Sequence, residues 1–467
     1  MLFPTVEFAI FFLGVFYISW ALKGHLMQRK AFLLAASYFF YSFWDFRFVL
    51  LLLEASIVNY ALGLWLSKPL GERKRKLLLF SGVAFNLMVL GFFKYFGFFL
   101  TSFYDLLSLT GFEREFKIWE IILPMGISFF TFQGISYVVD IYRKEIPAKN
   151  SLLDVMLYIS FFPQLVAGPI VRAKDFLPQL EKEPCEDNLR VTRAFILIGI
   201  GLFKKIIIAH YVAVKIVNPA FDAPQTMSSF DLFFGMYGYA VQIYCDFSAY
   251  SDMAIGFAAL LGFHFAKNFN QPYRAKNITD FWRRWHISLS LWLRDYLYIP
   301  LGGNRQNRKK TYRNLMLTML LGGLWHGAAF TFIFWGALHG LALAFCRYLK
   351  EKSITFKLQA LASIIITFHF VCLTWVFFRA DSILEAFSYL KALGNFNSPA
   401  QLVTPSNTLL LVIGLFGQFV PEDSVERVEG YLKKAPLLLQ GGVLGFAIVL
   451  LSSMGPGTMA PFIYFRF

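Results

Sequence analysis

Long runs of mainly apolar residues constrain this chain more than any other feature of its sequence. Such runs occupy residues 77–100, 194–217, 315–334 and 437–451. A helix needs about 20 apolar residues to cross the ~30 Å hydrocarbon core of a bilayer. Apolar side chains make up 57% of the 467 residues and charged ones only 16%, against about 25% charged residues in soluble proteins. The sequence predicts an all-α integral membrane protein with about ten to thirteen transmembrane or re-entrant helices.

The organisation of the chain is that of one membrane domain. No linker rich in Pro, Gly or Ser and no internal repeat divides residues 1–467, so a single transmembrane domain is predicted. The first apolar run, residues 3–22, lacks both a preceding basic region and a following A-x-A site, and we expect a retained first helix rather than a signal peptide.

The net charge of +15 comes largely from connectors between the apolar runs. Basic connectors at residues 23–30 and 68–76 alternate with an acidic connector after residue 100, which contains Glu113, Glu115 and Glu120. This alternation places the basic connectors in the cytoplasm and the N-terminus outside. It also argues against a nucleic-acid partner. The four cysteines show no C-x-x-C spacing, so no metal site is predicted.

The most basic stretch is residues 274–313, where ten Lys or Arg residues face two Asp residues. Apolar and aromatic residues recur within it at i, i+3, i+4 and i+7, from Trp282 to Tyr296. This period predicts one amphipathic helix on the cytoplasmic side, with Asn277 or Thr279 as its N-cap. Such a helix could lie in the membrane interface or line a funnel for an anionic ligand, and the pattern alone does not separate the two.

Two histidines are candidates for chemistry, because imidazole suits acid–base work near neutral pH. His326 lies inside an apolar run, where an ionisable group is costly and usually functional. Gly323 and Gly327 flank it with G-x-x-x-G spacing, which allows another helix or a substrate to approach closely. A buried structural histidine is the equally good alternative. His286 lies on the aromatic side of the predicted amphipathic helix. His339 follows His326 by 13 residues, about 220° around a straight helix, so the two should not share a site.

A polar stretch inside the membrane region contains two carboxylates, Asp246 and Asp252, with Ser248 and Tyr250 between them. Carboxylates at membrane depth must pair, bind a ligand or face water. Lys204 and Lys205 are candidate partners, and a paired structural role is the favoured interpretation. The sequence contains no Walker loop, G-x-S-x-G, H-E-x-x-H or dinucleotide motif, which argues against ATP-driven transport, serine hydrolysis and zinc proteolysis.

Four motifs occur in a fixed order along the chain. They are the F-P-Q-L-x-A-G-P-I of residues 162–170, the D-F-S-A-Y-S-D of residues 246–252, the D-F-W-R-R-W-H of residues 280–286 and the L-W-H-G of residues 324–327. With the C-terminal residues 461–467, they resemble the bacterial, polysaccharide-acetylating branch of the membrane-bound O-acyltransferase family. The resemblance covers essentially the whole chain.

This resemblance implies tilted helices around a central tunnel, with His326 at the family's active histidine and His286 at its second position. It also implies acetyl transfer from a cytoplasmic donor, with acetyl-CoA as the expected substrate and no bound cofactor. His326 would act as general base or acyl carrier, and His286 would position or polarise the thioester. The polar residues Asp246, Ser248, Tyr250 and Asp252 would line the tunnel. Candidate donor-binding residues are Arg283, Arg284, Arg294, Trp285 and Trp325.

The same resemblance implies a bacterial inner-membrane location and a periplasmic SGNH-type acetyltransferase as partner, acting on an exported glycan such as peptidoglycan or alginate. Three alternatives stay open at this point. The chain could transfer D-alanine or a long acyl chain with the same fold. It could also be a proton-coupled transporter that uses its buried Asp and His residues as a relay.

Overall fold

The computed structural model describes residues 1, 3–111, 121–186, 189–354, 359–396, 398–454 and 463. Every regular element in these ranges is a helix, and no strand occurs among them, so the all-α prediction is confirmed. The acidic part of the connector after residue 100 lies outside the described residues. So do the C-terminal residues 461–467 apart from Ile463.

The first compact unit comprises Met1–Leu189 and Phe257–Phe265. Its helices are α1 (Val6–Ala21), α2 (Leu26–Ser42), α3 (Arg47–Leu66), α4 (Glu72–Leu90), α5 (Phe96–Ser108), α6 (Ile127–Tyr142), α7 (Leu152–Ser160), α8 (Phe162–Leu165) and α9 (Ala173–Phe176). The side-chain amides of Asn59 on α3 and Asn86 on α4 bond each other at 3.2 and 2.9 Å. Gly134 of α6 packs on this pair, where a Cβ would lie 2.5 Å from the Asn86 oxygen.

The second compact unit comprises Arg190–Gly256 and Ala266–Phe467, and it contains all the candidate site residues. The remaining helices, in chain order, are α10 (Val191–Phe203), α11 (His210–Val212), α12 (Asn218–Asp222), α13 (Ser229–Leu260), α14 (Ile278–Arg284), α15 (Ile287–Leu293), α16 (Arg308–His326), α17 (Phe330–Glu351), α18 (Ala360–Arg379), α19 (Ile383–Ala392), α20 (Pro405–Phe416), α21 (Ser424–Lys434) and α22 (Leu437–Met454).

Five helical segments are long and apolar enough to cross a membrane. They are Arg47–Leu66, Glu72–Ser108, Val191–Asp222, Phe330–Glu351 and Ala360–Arg379. Three shorter apolar helices are Val6–Ala21, Pro405–Phe416 and Leu438–Met454. The predicted apolar runs at 77–100 and 194–217 lie within two of the five, each continued through a short π-helical stretch. Three expectations stay predictions: the single transmembrane domain, the total of about ten to thirteen transmembrane or re-entrant helices, and the central tunnel.

The apolar run at residues 315–334 is not one helix, which corrects the sequence-based expectation. Helix α16 ends at His326, Gly327 and Ala329 are extended, and α17 begins at Phe330. The two helices pack closely as a hairpin because glycines face their contact. A Cβ on Gly323 would lie 2.2 Å from the Phe332 carbonyl oxygen, and one on Gly336 would lie 2.3 Å from the Met319 carbonyl oxygen. The predicted close approach at Gly323 is therefore that of another helix.

Candidate active site

The basic segment is broken at His286, so the prediction of one continuous amphipathic helix is wrong. Helix α14 begins as expected at Asn277, whose side chain accepts from the Asp280 amide, but it ends at Arg284. His286 has φ 42° and ψ 57°, a left-handed conformation that interrupts the helix before α15. Non-glycine residues adopt this conformation uncommonly, although His, Asn and Asp are enriched in it. The break turns His286 into a fixed corner between two short helices.

Asn268, in the loop after α13, holds this corner in place. Its backbone carbonyl accepts from the Ile287 amide at 2.8 Å. Its side-chain Oδ1 accepts from the Ser288 amide at 3.1 Å and from the Ser288 hydroxyl at 2.8 Å. Asn268 therefore satisfies the first amides of α15 from elsewhere in the chain, as an N-cap residue normally does from within it. Its Nδ2 donates to Ser251 of α13 at 3.1 Å.

The same asparagine fixes the tautomer of His286. Because the Ser288 amide can only donate, the Asn268 atom that it reaches must be the carbonyl oxygen. That oxygen lies 3.3 Å from His286 Nδ1, which must then carry the proton. The Nε2 atom is left with its lone pair. It is buried and has no hydrogen-bond partner among the described residues.

Aromatic rings surround His286, which is fully buried. Its ring centroid lies 4.6 Å from Phe247 in an edge-to-face contact and 6.2 Å from Phe269 in a stacked one. His286 lies outside the five candidate spans. Desolvation by burial lowers the pKa of His286 to about 3. The imidazole is therefore neutral at physiological pH, with one nitrogen able to accept a proton.

His326 is the last residue of α16 and is 2% exposed. Its ring contacts Trp335 of α17 at 5.2 Å and Phe378 of α18 at 5.3 Å. Trp325 lies beside it at 5.0 Å and also reaches His286 at 6.0 Å. Both candidate histidines therefore contact the same indole ring, and both are buried.

The hairpin also changes the expected position of His339. The angular argument assumed one straight helix, whereas His326 and His339 lie on different helices, α16 and α17. The angular argument therefore does not apply, and both rings contact Trp335, at 5.2 and 4.6 Å. His339 is fully buried, and its Nε2 lies 3.0 Å from the Thr374 hydroxyl.

The candidate donor-binding residues differ in their environments. Arg284 pairs with Asp280 at 2.9 Å, and Arg294 pairs with its neighbour Asp295 at 2.6 Å. Arg283 is exposed and forms no ion pair with any residue that the structure describes. Trp285 is completely buried. Among the predicted arginines, Arg283 is therefore the freest to meet an incoming anion.

The carboxylates of α13 are paired, as the favoured interpretation expected. Asp246 Oδ1 lies 2.6 Å from Lys205 Nζ, and both side chains are 4% exposed. Asp252 lies 2.8 Å from Lys204 Nζ, which also donates to the Ser248 hydroxyl at 3.2 Å. The two lysines begin a π-helical turn, Lys204–Ala209. The fourth predicted tunnel residue, Tyr250, has its ring 5.4 Å from Lys205 Nζ.

Several site residues were not predicted from the sequence, chiefly Asn268, Trp335 and Thr374. Asn268 acts through a loop 18 residues before His286, and no local pattern marks that contact. No cluster of three or more His, Cys, Asp or Glu residues suitable for a metal occurs in the described part of the chain. The arrangement offers acid–base or nucleophilic chemistry from imidazole within an apolar, aromatic environment.

Comparison with known proteins identifies the family of this chain. The profile of MBOAT, the membrane-bound O-acyltransferase family, matches residues 143–384, which include both candidate histidines. The chain therefore belongs to the membrane-bound O-acyltransferase family. The integral-membrane class and the enzyme class, an O-acyltransferase, are thereby confirmed.

Individual relatives carry more specific names. The probable alginate O-acetylase of Pseudomonas aeruginosa is 43% identical over 85% of this chain and 76% of its own length. The peptidoglycan O-acetyltransferase of Helicobacter pylori is 39% identical over 83% of this chain and 77% of its own length. The teichoic acid D-alanyltransferase of Bacillus subtilis is 29% identical over 54% of this chain and 68% of its own length.

Proposed function

We propose that this enzyme transfers an acetyl group from acetyl-CoA, across the bacterial inner membrane, for O-acetylation of an exported polysaccharide such as alginate or peptidoglycan. The names of the relatives at about 40% identity support acetyl as the group and an exported glycan as the acceptor. The structural observation that carries the proposal is the cluster of His286, Trp325 and His326, in which two buried imidazoles contact one indole.

The proposed reaction moves an acetyl group from sulfur to oxygen. A neutral imidazole of His326 takes the proton of the accepting hydroxyl, whose oxygen attacks the thioester carbonyl carbon. The new C–O bond forms, the C–S bond breaks, and the proton passes to the leaving thiolate to give free CoA. In the second form of the proposal His326 itself attacks the carbonyl carbon, so that an N–C bond forms, the C–S bond breaks and CoA leaves as a thiol with the imidazole proton. The hydroxyl then takes the acetyl group from the ring and returns its proton to it. Both forms need the ring neutral and fixed in orientation.

The tautomer of His286 narrows its role. With the proton on Nδ1, its Nε2 can accept a hydrogen bond or a proton, but it cannot donate one to a thioester carbonyl. Of the two roles expected from the sequence, positioning of a reacting group therefore fits better than polarisation of the thioester. The positioned group would be the accepting hydroxyl, which offers a proton to Nε2.

The donor and the partner are proposals of the same kind. Arg283 is exposed and unpaired within the described residues, so its guanidinium is suited to a CoA phosphate. The family resemblance favours delivery of the acetyl group to a periplasmic SGNH-type acetyltransferase. D-alanyl transfer is the second candidate function, because the Bacillus subtilis relative carries that name.

The test uses everted membrane vesicles from the native host, which present the cytoplasmic face to added donors. Radiolabelled acetyl-CoA, palmitoyl-CoA and a D-alanyl carrier protein are supplied in turn, and base-labile label in luminal glycan is measured. Acetyl label that disappears in His326→Ala but persists in His369→Phe supports the proposal. His369 is a matched control because its imidazole also joins two helices, through Tyr237 at 2.9 Å.

The other outcomes contradict the proposal in different ways. Transfer from only the D-alanyl carrier, or from only palmitoyl-CoA, would assign the enzyme a different acyl group. Proton flux without transfer from any donor would favour the transporter alternative.

A further inference from the structure

His339 is a buried histidine that the proposed chemistry does not use. It lies in α17, is completely inaccessible to solvent, and sits among aromatic rings. Its Nδ1 is buried and has no hydrogen-bond partner in the described part of the chain. An imidazole in such surroundings is costly, because a buried polar atom without a partner loses its hydration without compensation. A leucine or phenylalanine would fill the same space without this cost.

The bond that His339 does make is directional. The Thr374 hydroxyl donates to the Val371 carbonyl at 2.8 Å, so its oxygen must accept from His339. His339 Nε2 therefore carries the proton and donates it to Thr374 across the contact between α17 and α18. The neighbouring contacts between these helices are aromatic, and stacked rings tolerate sliding more readily than a hydrogen bond does.

Helix α18 carries this bond toward the active site. Thr374 bonds His339, and the next residue, Trp375, stacks on Trp335 at 5.5 Å with 14° between the rings. One helical turn after Thr374, Phe378 contacts both Trp335 at 5.2 Å and His326 at 5.3 Å. Rotation of α18 or a shift along its axis would move all three side chains together.

Trp335 completes the connection from the side of α17. It lies one turn before His339, with 4.6 Å between the ring centroids. Its indole stands perpendicular to the His326 ring, at 5.2 Å and 90°. Two of the rings that contact His326, Trp335 and Phe378, therefore depend for their relative placement on how α17 and α18 are aligned.

We propose that His339 is a positioning residue: its hydrogen bond to Thr374 fixes the alignment of α17 and α18, and so holds Trp335 and Phe378 against the His326 ring. This inference rests on the proposed role of His326. His339 does not touch the reacting atoms, and it acts through Trp335 and Phe378.

The test compares variants that break the bond with variants of the same residues that keep it. His339→Leu and Thr374→Val remove the bond with little change in volume. His339→Gln can place its amide NH₂ near the position of Nε2, and Thr374→Ser keeps the hydroxyl. We expect the two bond-breaking variants to lower kcat about 10- to 100-fold with KM unchanged, because a small misplacement of a reacting group costs that much. The double variant should be no worse than either single variant, and the two conservative variants should recover most of the rate.

Acetyl transfer in vesicles is measured at matched membrane protein levels, with His369→Leu as the control that loses a different interhelical imidazole. Three results would each overturn the inference. His339→Leu or Thr374→Val could transfer acetyl at the wild-type rate, or these variants could raise KM and leave kcat unchanged. The third such result is that His339→Gln and Thr374→Ser do not restore the rate. Failure of the proposed function is a distinct result, because His326→Ala would then stay active or the wild type would transfer no acetyl group. In that case ¹⁵N-histidine NMR of the purified protein tests the positioning role of His339 without any activity assay. The ring signals of His326 should shift in Thr374→Val but not in Thr374→Ser.

Discussion

Replacement of Asn268 by alanine should weaken both the fold around His286 and the chemistry that depends on it. The side chain makes four hydrogen bonds, three through Oδ1 and one through Nδ2. At about 0.5–1.5 kcal/mol each, and with imperfect additivity, their loss should reduce the free energy of unfolding by about 2–4 kcal/mol. The His286 proton is then no longer confined to Nδ1, and its ring loses the partner that orients it. We expect the rate of acetyl transfer to fall about 10-fold or more, beyond any loss of folded protein.

The assay measures thermal unfolding in detergent and acetyl transfer in vesicles on the same variants. Asn307→Ala is the matched control, because Asn307 also caps a helix, accepting from the Lys310 amide at 2.9 Å, but contacts neither candidate histidine. That variant should lose about 1 kcal/mol of stability and retain its rate per folded molecule. If Asn268→Ala loses stability but keeps the wild-type rate per folded molecule, acetyl transfer does not depend on the His286 tautomer that Asn268 fixes, and the reasoning is refuted.

Three further predictions concern charge and packing. His286→Asn keeps the backbone conformation, because asparagine tolerates the left-handed region. The ratio of its rate to the wild-type rate should stay constant from about pH 5.5 to 8.5, because burial lowers the pKa of His286 to about 3 and the substitution removes no charge in that range. A ratio that changes through about pH 6.5 would contradict this prediction. Lys205→Met should destabilise the protein by about 3–5 kcal/mol in thermal unfolding, because it removes the ammonium facing the buried Asp246, and adding Asp246→Asn should restore part of the loss. Gly323→Ala should lower the folded yield, since its Cβ would lie 2.2 Å from a facing carbonyl oxygen, whereas Gly14→Ala, which meets open space, should not.

The helical architecture was largely predictable, because hydropathy depends only on local composition. The runs at 77–100 and 194–217 lie within long helical segments of the structure. The break at residues 327–329 was not predictable in the same way. Gly-Ala-Ala is apolar and contains no proline, so hydropathy does not mark the end of α16, and the signal that the sequence does carry is Gly327 directly after His326.

Candidate site residues could be selected from the sequence, but their geometry could not be predicted. His286 and His326 stood out because imidazoles in apolar surroundings are unusual, and both are buried. The period of Trp282 to Tyr296 concealed the break at His286, because a single left-handed residue leaves the spacing in the sequence unchanged. The support from Asn268 and Thr374 comes from elements distant in sequence, and only the folded chain brings them to the histidines.

The pairing of charges within the second unit was anticipated only in outline. The sequence placed two lysines and two carboxylates in apolar runs, and the cost of burying them demanded partners. It did not say which pairs form. The π-helical turn that begins at Lys204 lies where two consecutive lysines reach Asp252 and Asp246, six residues apart on α13.

The most direct test of the central claim is the O-acetyl ester content of the exported glycans of the native host, measured separately for alginate-like polymer and peptidoglycan. Wild type, a deletion, His326→Ala and His369→Phe are compared at matched membrane protein levels. The account predicts that ester disappears from one glycan in the deletion and in His326→Ala and persists in wild type and in His369→Phe. Unchanged ester in every glycan, with the protein deleted or altered at His326, would contradict it.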